Sequence, residues 1–157
     1  NRRDGKTPDE VMINTRTEGF CELIRRRFVI GSFILQKENQ EKLFINAQRV
    51  RRMIVEKINS LFEKYDGYIV PATESVAPHF DEKNDTLSDK YLLFAEHLAI
   101  ANFGGFPSIT IPDGFINDLP VGLNITGKCY DDENVLNIAY AIESIMDYKN
   151  QMAKEGK

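Results

Sequence analysis

Leu119-Pro120-Val121-Gly122-Leu123-Asn124-Ile125-Thr126-Gly127-Lys128 holds the clearest period in the chain. Val121, Leu123 and Ile125 alternate with Gly122, Asn124 and Thr126. Alternate side chains of a strand point to opposite faces, so Val121–Thr126 is expected as a strand with one buried face and one small or polar face. Just downstream, Asp131-Asp132-Glu133 puts acid where a helix dipole favours it. Val135, Ile138, Ala139, Ile142 and Ile145 then recur at helical spacing, which predicts an apolar helix face. A strand followed by a helix is the unit around which the rest is arranged.

Working upstream, Ser108–Ile111 is expected as a strand and Pro112-Asp113-Gly114 as a turn. A helix from Thr86 or Ser88 to about Ala101 is broken by Gly104-Gly105, and Pro71–Asp85 reads as loop. Tyr68-Ile69-Val70 is a short buried strand closed by Pro71, after a helix stop at Asp66-Gly67. A long helix over about Glu38–Lys64 carries one apolar stripe through Leu43, Ala47, Val50, Ile54, Ile58, Leu61 and Phe62. Thr17–Leu35 is helical with an interruption at Gly31. Thr7-Pro8-Asp9-Glu10 opens a short helix to about Thr15, with Thr7 as cap, Pro8 in the first turn and Glu10 reaching back.

The fold class is therefore α/β, with helices layered on a few strands. Three short extended runs make a thin sheet for so many helices, so a mixed sheet that continues outside this chain is expected. The chain opens on Asn1 and reads as a piece of something longer. Residues 1–157 are taken as a single segment, with 1–14 and 147–157 peripheral.

Composition narrows the function classes. The chain has 157 residues, 42% of them hydrophobic, and a formal net charge of -4. At this length a chain buries roughly 70% of its unfolded surface, so a core needs no staples. No apolar run approaches the ~20 residues of a membrane helix, since Glu96 and His97 interrupt the best candidate, Tyr91–Ala101. The acidic balance argues against a large nucleic-acid face. Cys21 and Cys129 are far apart and read as two free thiols, while His79 and His97 have no neighbouring ligands to form a metal site.

Arg27 is the most informative candidate. Its one-turn helical neighbours are Leu23, Ile24, Ile30 and Gly31, which predicts a guanidinium leaving a buried face. A buried arginine needs an anion, and its planar fork suits a carboxylate. That anion is either a ligand carboxylate or a protein Asp or Glu. Glu96, among Leu92, Leu93, Ala99 and Ile100, either faces a ligand ammonium or partners a buried arginine. His97 reads as a satisfied core histidine. Arg49, Arg51 and Arg52 read as a solvated face, with Glu56 available to Arg52. Lys128 lacks the preceding glycines of a phosphate loop. No nucleophile elbow and no Ser/His/Asp set appears, so no catalytic residue is assigned.

Six motifs, in order, carry a resemblance. They are Thr15-Arg16-Thr17-Glu18-Gly19-Phe20; Arg26-Arg27 followed by Gly31; Gln48-Arg49-Val50-Arg51; Phe62-Glu63-Lys64-Tyr65-Asp66 with Pro71; Asn102-Phe103-Gly104-Gly105-Phe106-Pro107-Ser108-Ile109; and Leu119–Lys128. Together, from about Thr15 to Glu143, they resemble the C-terminal third of an amidase-signature protein. Within that family they look most like the glutaminase subunits of tRNA-dependent amidotransferases.

The resemblance implies a mixed sheet layered with helices and a Ser–Ser–Lys triad in the earlier part of the glutaminase subunit. It implies that glutamine is hydrolysed and that the ammonia converts glutamyl-tRNA(Gln) to glutaminyl-tRNA(Gln) in a partner subunit. ATP and Mg belong to that partner, with no cofactor and no metal in this segment. The implied partners are the rest of the glutaminase subunit, the other amidotransferase subunits, glutamine, and tRNA through the complex, in the cytoplasm and off the membrane. By position, Arg27 matches the arginine that grips the glutamine α-carboxylate. The Asp that holds the α-ammonium falls on Ala95 when counted without gaps, and Glu96 takes its place after a one-residue slip. Ile100 stands where a proline is usual, and Lys37-Glu38-Asn39-Gln40 where tyrosines are common. Without the triad this chain is expected to be inactive alone. The alternatives are a segment of another small-amide amidase and a non-catalytic interaction module.

Overall fold

The structure is a computed structural model that describes residues 3–79, 96–148 and 150–153. Two compact units divide the chain, Asn1–Val50 and Arg51–Lys157. The helix expected from Thr86 or Ser88 lies largely outside the described residues.

The first unit is helical. Helix α1, Pro8–Glu18, starts as its sequence dictates: Thr7 Oγ1 accepts from the Glu10 N–H at 3.2 Å. Glu10 reaches back one residue further than a standard capping box, accepting from the Lys6 N–H at 2.7 Å. The helix runs past the expected end at Thr15. Residues 19–21 separate it from α2, Glu22–Ile34, so the break falls at Gly19 and not at Gly31. Gly31 sits inside α2 with open space where a Cβ would go. One glycine costs only about 1 kcal/mol in a helix interior, which the flanking turns of α2 absorb.

A short α3, Lys37–Asn39, leads through a π-turn over Gln40–Ile45 into α4, Asn46–Leu61. The expected long helix is thus nearly continuous, but its stripe is not buried throughout. Leu43 is 40% exposed and Val50 54%, whereas Ile54, Ile58 and Leu61 are half-buried. Periodicity shows which face is apolar; burial also requires a neighbour along its whole length.

The second unit holds a three-stranded sheet in the order β1-β3-β2. Strand β1 is Gly67–Pro71, β2 is Ser108–Ile116 and β3 is Leu119–Gly127, and both pairings are antiparallel. Pro112-Asp113-Gly114 is a bulge inside β2 and not the expected turn: the register shifts there and Gly114 has φ 121°. The reversal is made by Asn117 and Asp118, both in the left-handed region (φ 52° and 63°), as a two-residue hairpin loop requires.

Across the strands, Ile69, Ile125 and Ile109 form one row and Pro71, Leu123 and Ile111 the next. Helix α6, Asp132–Ile145, covers this face with Ala139, Ile138 and Ile142. Ile125 is fully buried there. Ile145, expected on the buried face, is 86% exposed at the end of the helix. On the other face, Phe62 stacks on Tyr68 with centroids 6.1 Å apart and meets Phe106 edge-on at 5.4 Å.

Candidate functional site

Arg27 stands on α2 in the first unit. It is exposed, not buried as its neighbours imply, and no ion pair or hydrogen bond holds it among the described residues. The cause lies in the helix itself: α2 buries no residue, and Phe28, Val29, Ile30, Phe33 and Leu35 are 41–70% exposed. A helix with apolar residues on several faces gives the arginine greasy neighbours without enclosing it. An internal salt bridge for Arg27 therefore has no partner among the described residues.

Glu96 belongs to the second unit, where it opens a 3₁₀ turn, Glu96–Leu98, that feeds helix α5, Ala99–Gly104. Ala95, the gap-free alternative, lies outside the described residues. His97 follows Glu96, is half-buried, and places Nε2 2.7 Å from the Pro71 carbonyl. A carbonyl only accepts, so Nε2 carries the proton. At the other end of α5, Gly105 takes the left-handed cap (φ 68°) and its N–H bonds to the Ala101 carbonyl. The Cys129 thiol donates to the Gly105 carbonyl at 3.3 Å; both cysteines are free thiols, with Cys21 exposed.

Arg51 is not merely a solvated charge. Its Nε and Nη2 both donate to the Phe103 carbonyl, at 3.0 and 2.8 Å. That carbonyl is one of the four that a helix leaves unpaired at its C-terminus. Arg49 pairs with Glu41 at 3.0 Å, and Arg52 with Glu56 at 2.7 Å as expected. The hydrogen bond that Arg52 donates to Glu56, and then the Glu56 charge, hold the Arg52 guanidinium above its usual pKa.

Sequence reasoning also missed a polar cluster on the sheet. Ser108 Oγ donates to Asn124 Oδ1 at 3.1 Å, and Asn124 Nδ2 donates to Thr110 Oγ1 at 3.0 Å. Thr126 Oγ1 lies 3.2 Å from both Ser108 Oγ and Asn124 Oδ1. Asn124 is 5% exposed and Thr126 1%, because β3 is the central strand. The signal was present: Ser108, Thr110, Asn124 and Thr126 share the non-isoleucine face once β2 and β3 are paired.

Two open hollows flank the sheet. One of ≈ 390 Å³ is lined by Thr73, Thr110, Gly122 and Gln151 among others, and one of ≈ 350 Å³ lies against Gly67, Ile69 and Ile138. Arg27 lines neither of them. Among the described residues no group of three or more His, Cys, Asp or Glu side chains is placed to hold a metal, and no helix is long and apolar enough to cross a membrane.

This α/β arrangement of an antiparallel sheet covered by helices is shared with a crystal structure of an amidase. The match has a TM-score of 0.68 over 87% of this chain and 33% of that one; at 18% identity it is a likeness of fold. The chain belongs to the amidase family, whose sequence model matches residues 2–136. It is 38% identical over 149 residues to the A subunit of glutamyl-tRNA(Gln) amidotransferase from Streptococcus pyogenes serotype M49 (strain NZ131), covering 94% of this chain and 30% of that protein. It is 37% identical to the same subunit of Streptococcus uberis (strain ATCC BAA-854 / 0140J), covering 95% of this chain. The crystal structure of that subunit from Thermotoga maritima matches with a TM-score of 0.66 at 38% identity, over 90% of this chain and 31% of that one. The chain thus spans about a third of the relatives it matches.

Proposed function

We propose that the chain is the C-terminal part of the glutaminase subunit of a tRNA-dependent amidotransferase. The supporting observation is the identity of 38%, held over 94% of the chain, to the A subunit of glutamyl-tRNA(Gln) amidotransferase. In this reading the complete glutaminase subunit hydrolyses glutamine. The ammonia then amidates glutamyl-tRNA(Gln) in a partner subunit that carries ATP and Mg. The chain supplies binding groups and no nucleophile.

Arg27 grips the glutamine α-carboxylate through its planar fork. Its exposure, and the lack of an internal anion among the described residues, favour this over a structural salt bridge. Glu96 meets the α-ammonium. The partners are the remainder of the glutaminase subunit and the other subunits of the complex. Transfer RNA is engaged through the complex, in the cytoplasm.

The test is ammonia release from glutamine. The complete amidotransferase is expected to turn over glutamine, while this chain alone shows no turnover above background. Turnover by the isolated chain overturns the assignment of binding groups without a nucleophile. A complete enzyme that hydrolyses other small amides as readily as glutamine makes the chain part of a general amidase.

A further inference from the structure

Two side chains that the sequence sets aside, Arg51 and His97, hold the same short helix from opposite ends. At its entry, the His97 Nε2–H donates to the Pro71 carbonyl at the end of β1 (2.7 Å). At its exit, the Arg51 fork caps the Phe103 carbonyl with two donors (3.0 and 2.8 Å). Both acceptors are backbone carbonyls, and both anchors span the sequence, over 26 and 52 residues. Helix α5 has only six residues, too few to be stable by its own hydrogen bonds. It buries Ala101 alone, so packing fixes it weakly. Its position therefore depends on long-range bonds: these two at its ends, and the Cys129 thiol on the Gly105 carbonyl just beyond it.

We infer that Arg51 and His97 are positioning residues that fix the backbone at Glu96 for contact with the substrate's α-ammonium. This rests on the glutaminase reading above and deepens it. Neither residue touches substrate. His97 is the next residue after Glu96, so its bond to Pro71 sets the path of the chain there. Arg51 stops α5 from unwinding at its C-terminal end, where Gly104 and Gly105 offer no side chain to hold it.

The experiment uses the complete amidotransferase with His97→Ala, His97→Gln, Arg51→Met, Arg51→Lys and Glu96→Gln. The readouts are the glutamine KM and kcat, together with hydrogen exchange of the 99–105 amides. Losing one anchoring bond is expected to raise KM about fivefold in His97→Ala and Arg51→Met, with kcat changed less than about twofold. Exchange across 99–105 is expected to quicken in both. His97→Gln keeps a donor and Arg51→Lys keeps one of two, so both are expected to recover part of the KM. These conservative variants also keep the test readable should the truncations fold poorly.

If Glu96→Gln raises KM while the four anchor variants leave it unchanged, the positioning role is overturned and the glutaminase reading stands. If Glu96→Gln leaves KM unchanged, the ammonium contact falls and the positioning role with it. Arg27→Ala then decides separately whether glutamine is gripped at all.

Discussion

Gly127 and Val135 set how closely strand β3 and helix α6 approach. A Cβ on Gly127 would stand 2.3 Å from Val135 Cγ2, inside any tolerable contact. Val135 is only 2% exposed and has nowhere to swing. Gly127→Ala is therefore expected to lower stability by about 1–3 kcal/mol through overpacking. The double variant Gly127→Ala/Val135→Ala should be less destabilised than the sum of its singles, since the added methyl fills the space the valine leaves. Urea unfolding of the four chains checks this, and strict additivity counts against it.

The polar cluster on the opposite face makes a second case. Asn124 both accepts and donates, so truncating it takes a partner from Ser108, Thr110 and Thr126 together. Asn124→Ala is expected to cost about 1–3 kcal/mol, against about 1 kcal/mol for Thr126→Val, which replaces one hydroxyl group by a methyl of similar size. An unfolding series in which Thr126→Val is the more damaging of the two would show that Asn124 is not the hub.

These two sites show what the sequence makes legible. Alternation along Val121–Thr126 identifies β3 and its isoleucine face, because a strand's period needs no partner to be visible. The burial of Asn124 and Thr126 was not legible, since it depends on β3 being central, a fact of pairing and not of period. Pro112-Asp113-Gly114 has turn chemistry, yet the same left-handed glycine also serves a bulge. The Arg27 helix was legible as a helix but not in its burial: apolar neighbours predict enclosure only when something packs on them. Arg51 was misread because its acceptor is a backbone carbonyl 52 residues away, which leaves no mark on local charge spacing.

Helix α1 buries no residue, so its local interactions carry it. Removing the cap with Thr7→Ala is expected to cost about 1 kcal/mol of local stability. Glu10→Ala, which frees the Lys6 N–H, should cost less because that group is exposed and water replaces the carboxylate. Hydrogen exchange of the amides at 9–12 reads both. Equal protection in wild type and Thr7→Ala would mean that the cap is not what starts the helix.

Arg27 separates stability from binding. It is exposed and makes no ion pair among the described residues, so Arg27→Ala in this chain should shift unfolding by less than about 0.5 kcal/mol. In the complete amidotransferase the same change removes a charge-assisted contact of about 1.5–3 kcal/mol, which is roughly a tenfold to hundredfold rise in glutamine KM. Arg27→Lys keeps the charge and loses the fork, so its KM should fall between the two. Measured side by side, unchanged unfolding with a raised KM identifies a ligand clamp. A destabilised chain with an unchanged KM identifies a structural arginine, because the group would then be holding the protein together and not its substrate.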